Sequence, residues 1–178
     1  MLNIISSPFK VCLIACCLIY SVSGIVQPLT GRTFHNDRLI TNIDSLDIAL
    51  DKINMIINFG KNYLGKPYRY TVADGSILDC SGFVSYIHRC NGFDLPRSCT
   101  SLASLTEKIS LSEIKKGDLM FFKGRDINSE KVGHVSMVTF VDGDVIEMMH
   151  SCNRGIIIEK YNSNSYYTSR LLFAGRLQ

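Results

Sequence analysis

Cys80 stands between Asp79 and the small pair Ser81-Gly82, where the turn-like stretch Gly75-Ser76-Ile77-Leu78 gives way to apolar residues at helical spacing, Phe83, Val84 and Ile87. That pattern predicts a thiol in the first turn of a helix, with Asp79 as N-cap. Unpaired backbone N–H groups and the positive end of the helix dipole both favour thiolate there, which is how a protein turns cysteine into a nucleophile. A free cysteine is more often a small buried core residue, so the spacing alone does not decide the matter. The second half of the chain supplies partners. Gly133-His134-Val135-Ser136-Met137-Val138 opens an alternating run to Val141, Asp142-Gly143 reads as a two-residue hairpin turn, and Asp144 to His150 is the returning strand. Pairing Val141 with Asp144 sets His134 opposite Ser151, next to His150, an offset that a small bulge absorbs. Taken singly, each histidine reads as an ordinary polar residue at a strand end. Brought together on one hairpin, they can act as base and orienter for a cysteine held elsewhere.

The elements that must position these residues are legible from periodicity. Ile43, Leu46, Leu50, Ile53, Ile57 and Leu64 mark one helical face, with Thr41 or Asn42 as cap and Gly65 as stop. A second helix carries Cys80, and a short third is predicted from Ser98 through Leu105 to Lys108. His88, about 12 Å along the helix from Cys80, reads as a packing or surface residue. Strands are predicted at Leu119–Phe122, Val135–Val141, Val145–His150, Ile156–Tyr161 and Leu172–Arg176. Helices first and a hairpin-linked sheet afterwards make an α+β domain with an antiparallel sheet. With 178 residues, 46% of them hydrophobic, the chain can bury one sizeable core.

A formal charge of +3 with no run of Lys or Arg gives no footprint for nucleic acid. Residues 1–24 read as a targeting segment: Lys10 precedes the apolar run Val11–Tyr20, and Ser21-Val22-Ser23-Gly24 offers small residues for cleavage. The run is too short for a stable span, which needs about 20 apolar residues. A second reading takes Leu13-Ile14-Ala15-Cys16 as a lipobox, making a lipid on Cys16 the one membrane attachment. Either way the domain is expected outside the cytoplasm, in the periplasm, the envelope or the medium. Residues 25–42, with Pro28 and Gly31 and no period, read as a linker or arm, and residues 43–178 as the domain. Outside the targeting segment lie Cys80, Cys90, Cys99 and Cys152. Export permits a disulfide without requiring one. Cys90 is about 15 Å along the helix from Cys80, too far to bond it. Cys90 with Cys99 is then the one pair worth considering, and free thiols are the expectation. No cysteine and histidine spacing reads as a zinc site, and neither a metal nor another cofactor is expected.

The motifs resemble those of the NlpC family of bacterial cell-wall cysteine peptidases, a papain-like group. Tyr63-Leu64-Gly65-Lys66-Pro67-Tyr68-Arg69-Tyr70 resembles the family's opening motif, and Asp79 to Val84 its nucleophile motif. Leu95-Pro96-Arg97-Ser98 resembles the segment after the nucleophile helix, Lys116 to Phe122 the first core strand, and the His134 and His150 segments the next two. The match runs from about Ile43 to the end, in the family's order. It implies a papain-like fold, with N-terminal helices packed on a central antiparallel sheet. It also implies an endopeptidase that cuts the γ-D-glutamyl-diamino-acid amide of peptidoglycan stem peptides, acting as a monomer. By resemblance Cys80 is the nucleophile, His134 the base, His150 the third polar residue and Tyr68 the tyrosine near the oxyanion. Asp79 and Ser81 would hold the free amine of the stem peptide's first alanine, and Arg97 would line the groove. From the residues themselves, Asp79 is equally a helix cap and Ser81 a first-turn residue. Thr71-Val72-Ala73 departs from the family, which often has Gly-Gly or Trp after the opening tyrosine. A non-catalytic wall-binding domain and a related amidase on the same fold are the alternatives.

Overall fold

The structure, a computed structural model, describes residues 37–178, with side chains from residue 46 onward. The targeting segment and Cys16 lie outside the described residues. The first helix, α1, runs Asp37–Lys61. It starts ahead of the predicted cap, so residues 37–42 are helix rather than arm. No Gly or Pro interrupts the chain from Asp37 to Phe59, and an acidic residue suits a helix's first turn. The predicted apolar face is only partly used. Ile56 and Ile57 are buried, whereas Leu46, Leu50 and Leu64 are exposed. Gly65, at φ +81°, ends the turns that follow, as its conformational freedom allows.

Two short strands, β1 (Tyr70–Thr71) and β2 (Ile77–Leu78), form a small antiparallel ribbon leading into α2 (Cys80–Arg89). Next come α3 (Cys99–Ser104) and β3 (Thr106–Ile109). The predicted third helix thus stops short of Lys108, because Thr106–Ile109 pairs in register with a later strand, Thr106 with Leu177 and Ile109 with Ala174. The remaining strands are β4 (Leu119–Lys123), β5 (Val132–Asp142), β6 (Val145–Cys152), β7 (Gly155–Lys160) and β8 (Leu171–Leu177). A four-residue helix, α4 (Ser165–Thr168), precedes β8. The six-stranded sheet has the order β3-β8-β4-β5-β6-β7, antiparallel throughout.

The sheet is covered on both faces, which explains why Leu119-Met120-Phe121-Phe122 is a continuous apolar run rather than an alternating one. Leu119, Phe121, Val135, Met137 and Met149 pack with Phe83, Val84, Ile87, Ile56 and Ile57 of the helices. Met120, Phe122, Val138 and Met148 pack with Tyr161 and Tyr167 of the segment before β8. β7 is an edge strand, held at its start by the opening motif: Gly65 N–H donates to Ile156 O and Ile156 N–H to Lys66 O, each at 2.9 Å. Gly155 is needed there, with φ +96° and a would-be Cβ only 2.7 Å from Lys66 O. The β5–β6 turn differs from expectation. Asp142 pairs with Val145, so its central residues are Gly143-Asp144, and only Gly143 has positive φ. That fits the glycine-first type II′ turn rather than an Asp-Gly one. A bulge at Thr139, between Val138 and Phe140, offsets part of the slip.

Candidate active site

The helix side of the site is set by local capping. Asp79 takes extended backbone, and its Oδ1 accepts from Gly82 N–H at 2.8 Å while its carbonyl accepts from Phe83 N–H at 2.8 Å. Cys80 follows as the first helical residue, 9% exposed, its N–H at the unpaired end of the helix. Gly82 is required by closeness: a Cβ there would meet Ile77 O and sit 2.6 Å from Arg97 Nη2. Ser81 is buried and donates to Arg97 O at 2.7 Å, and Ser85, one turn on, donates to Pro96 O at 2.5 Å. These two serines draw the segment after α2 back along the helix, so that α3 starts beside the start of α2. Cys99 arrives there with Sγ 3.6 Å from Cys80 Sγ. The neighbour that Cys99 meets is therefore Cys80 and not Cys90, which is exposed at the far end of the helix. All four described cysteines are free thiols.

The sheet side is a line of buried polar groups. His134 on β5 and His150 on β6 meet with Nε2···Nδ1 at 2.8 Å. His150 is fully buried, and its Nε2 donates to Glu159 Oε1 at 2.8 Å. Glu159, on β7, also accepts from Arg154 Nη2 at 2.6 Å and from Asn164 Nδ2 at 2.8 Å. Because Glu159 accepts only, His150 carries its proton on Nε2 and offers the Nδ1 lone pair to His134. His134 then carries its proton on Nε2, which leaves Nδ1 free as a base. Tyr167 closes over both rings, at 5.7 Å from His134 and 5.0 Å from His150 between centroids, with its hydroxyl 3.4 Å from His150 Nδ1.

Charge and burial sort the protonation states. The Cys99 thiol, as hydrogen-bond donor, holds Cys80 low against the opposing effect of burial. The His134 imidazole adds to this by contact and charge, bringing the Cys80 thiol to about 5. Cys99 is pushed up, first by donating to Cys80 and then by burial, so it stays a protonated thiol. Burial, followed by the charge of His134, lowers His150 to about 4 despite Glu159, so His150 is neutral near pH 7. Burial alone would raise the Glu159 carboxyl, but hydrogen bonds from Arg154, Asn164 and His150 outweigh it and keep it ionised. Burial and the nearby Cys80 and Asp79 raise Tyr68, keeping its hydroxyl a donor.

Cys80, His134, His150 and Tyr68 come together. Asp79 and Ser81 flank the thiol while capping and bracing α2, and Asp79 Oδ2 has no hydrogen-bond partner among the described residues. Arg97 is exposed and donates to Ile77 O at 2.6 Å, so it steadies the strand before Cys80. His88 packs, donating from Nδ1 to Val84 O at 2.8 Å. Sequence reasoning missed Cys99 as a neighbour of the thiol, and missed Glu159, Arg154, Asn164 and Tyr167. For Glu159 a signal existed: it is the one charged residue among Ile156-Ile157-Ile158-Glu159, on the same face as His150 once β6 and β7 are paired. A cleft of about 510 Å³ opens beside His134, lined by Tyr68, Lys123, Arg125, Arg154, Tyr166 and Tyr167 among others, with no carboxylate in its wall. Among the described residues no three His, Cys, Asp or Glu side chains are grouped so as to hold a metal ion.

A family model described as the NlpC/P60 family matches residues 65–176. The γ-D-glutamyl-L-lysine dipeptidyl-peptidase of Bacillus subtilis (strain 168) is 31% identical over 129 residues, covering 71% of this chain and 42% of its own. The crystal structure of an NlpC/P60 family protein from Bacillus cereus ATCC 10987 is similar at TM-score 0.58 and 29% identity, covering 70% of this chain and 40% of that one. RipD from Mycobacterium tuberculosis, a non-catalytic NlpC/p60 domain protein, shares the fold at TM-score 0.50 and 18% identity, covering 71% of this chain and 98% of that one. The chain spans less than half the length of the curated Bacillus subtilis relative.

Proposed function

This chain belongs to the NlpC/P60 family, and on that premise we propose that it is a cysteine peptidase hydrolysing peptidoglycan stem peptides at the γ-D-glutamyl-diamino-acid amide. The observation that carries this reading is the line from the Cys80 thiol at the start of α2, past His134, through two 2.8 Å links to His150 and Glu159. His134 Nδ1 takes the Cys80 thiol proton, the thiolate attacks the amide carbonyl carbon, and the carbonyl electrons move to oxygen. The Cys80 backbone N–H and the Tyr68 hydroxyl are the donors this reading assigns to that oxyanion; losing one such donor costs roughly 2.7–4 kcal/mol of barrier. The His134 imidazolium gives its Nδ1 proton to the leaving amine, which departs and leaves an acyl-enzyme. Water, deprotonated by His134, then attacks the thioester and frees Cys80. His150 and Glu159 keep the imidazole in the required tautomer and support its positive charge.

The cleft beside His134 suits the amine-side fragment, because the group that protonates the leaving nitrogen must border that fragment. Lys123 and Arg154 in its wall are paired with Glu130 and Glu159, and Arg125, with no ion-pair partner among the described residues, is the cation there that fits a peptide carboxylate. The family resemblance assigns Asp79, through Oδ2, and Ser81 to hold a free peptide amine on the acyl side. A non-catalytic wall-binding role has a precedent in the fold of RipD, but here the thiol and both histidines are in place. We further infer that residues 1–24 direct export and that the domain acts as a monomer in the envelope or beyond.

Digestion of purified muropeptides, with products identified by mass spectrometry, tests the reading. The native protein should release a γ-D-glutamyl fragment and Cys80→Ala should release none. Binding without cleavage by the native protein would favour the wall-binding role. Mass and sedimentation of the same protein, taken from its native envelope, should give a monomer lacking residues up to about Gly24 or beginning at a lipidated Cys16. A retained Met1 would refute export.

A further inference from the structure

Cys99 is a second thiol pressed against the first, and hydrolysis gives it no covalent step. The two sulfurs lie 3.6 Å apart and are 19 residues apart in sequence. Cys80 is the first residue of α2 and Cys99 the first of α3, joined by the segment that Ser81 and Ser85 fold back along α2. A disulfide needs an S–S distance of about 2.05 Å, so the sulfurs must approach by about 1.5 Å. Rotation about the two Cα–Cβ bonds moves each sulfur without moving the backbone, and α3 itself has Leu102 as its one buried residue. Among the described residues Cys90 and Cys152 have no such sulfur neighbour: one is exposed beyond the far end of α2 and the other is buried at the end of β6.

We propose that Cys80 and Cys99 are a redox modification site: a peroxide oxidises them to a reversible disulfide that switches the peptidase off and keeps its nucleophile from irreversible oxidation. The Cys80 thiolate attacks one peroxide oxygen, the O–O bond breaks, and the departing hydroxide takes a proton to become water. Cys80 is then a sulfenic acid. The Cys99 sulfur attacks it, the S–S bond forms, and the S–OH bond breaks, with the hydroxide leaving as water with the Cys99 proton. Two thiols are thus oxidised by two electrons and one peroxide is reduced to two waters. A dithiol reductant reverses the step by exchange through a mixed disulfide. Without Cys99 the sulfenic acid has no resolving thiol at hand and proceeds to sulfinic and sulfonic acids, which such a reductant does not restore.

The switch rests on the peptidase reading for its consequence but not for its chemistry, and the test separates the two. Trypsin leaves each described cysteine on its own peptide: Tyr70–Arg89 for Cys80, Cys90–Arg97 for Cys90, Ser98–Lys108 for Cys99 and Val132–Arg154 for Cys152. The folded protein is treated with hydrogen peroxide, its remaining thiols are alkylated, and the digest is mapped by mass spectrometry. The expected product joins Tyr70–Arg89 to Ser98–Lys108, with hydrolysis lost and then largely regained after dithiothreitol. Cys99→Ser and Cys99→Ala, each compared with its own untreated activity, should regain little, and their Cys80 peptide should carry two or three added oxygens. A link to the Cys90 or Cys152 peptide, or a native protein whose Cys80 over-oxidises as readily as in the variants, overturns the proposal. The peptide map needs no variant to fold. The expected link in a protein that hydrolyses no stem peptide would support the disulfide and overturn only the peptidase reading.

Discussion

On the helix side of the site Cys80 takes its character from backbone and near neighbours: an N-cap, a helix start and one thiol at 3.6 Å. On the sheet side His134 takes its character from a row of side chains on three strands, ending on a carboxylate that three donors hold ionised. The first arrangement is short-range and half a turn of chain determines most of it. The second depends on cross-strand register, and each buried member must satisfy the next, so losing one leaves the others unpaired in a dry interior. The sheet side should therefore be the more brittle of the two.

The strongest way to break that contrast is at His150. His150→Ala removes the acceptor for His134 and strands Glu159, and should lower kcat/KM by about 100-fold or more. His150→Gln can accept from His134 and donate to Glu159, and should retain more activity than the alanine variant. Equal turnover in native and His150→Ala protein would remove the sheet side from the mechanism. Glu159 sharpens the same contrast. Glu159→Leu frees the His150 tautomer, while Glu159→Gln keeps an acceptor and loses only the charge, so the glutamine variant should fall roughly tenfold and the leucine variant further. The pH dependence of Cys80 alkylation by iodoacetamide separates positioning from mere packing. Thiolate is lost as pH falls through about 5, and weaker support for the imidazolium in Glu159→Gln should move that midpoint upward. An unmoved midpoint with native kcat would make Glu159 structural only.

The smallest effect belongs to the helix side. Cys99→Ala removes the donor that holds Cys80 low, so its alkylation midpoint should rise by about one pH unit, whereas Cys99→Ser keeps an O–H donor and should rise less. The sign follows from the loss of a hydrogen bond to the charged form, so a midpoint that falls would contradict the assignment of Cys80 as thiolate and Cys99 as thiol.

The same contrast explains what was legible in the sequence. The α2 start was readable because Asp79, Gly82 and the spacing of Phe83, Val84 and Ile87 are local signals. His134 and His150 were readable as neighbours because one hairpin joins them, even though the turn lies one residue later than expected and Thr139 bulges. Glu159 was not read, because its role needs a second register, that of β6 with β7, laid over the first. Cys99 was read correctly as a free thiol but not as a neighbour of Cys80, because helical rise gives the distance from Cys80 to Cys90 but says nothing of the direction in which the next segment leaves. Here Ser81 and Ser85 turn it back. Thr106-Glu107-Lys108 was expected as helix, and with Ile109 became strand through partners 65 or more residues away that no local propensity announces.

Those distant partners bear on how the domain is made. β8 lies between β3 and β4 in the sheet although it is the last of the described strands in sequence, and among the described residues β3 pairs with no other strand. Arg176 on β8 forks onto Asp118 beside β4, with both contacts at 2.8 Å. A ribosome that has not yet made Leu171–Leu177 therefore holds a chain in which Thr106–Ile109 has no partner and one side of the most buried strand is open. The sheet can close only after that segment emerges, a long-range step of the kind that slows folding. During synthesis the helix that bears Cys80 can form early, while the platform that carries His134 waits for β8.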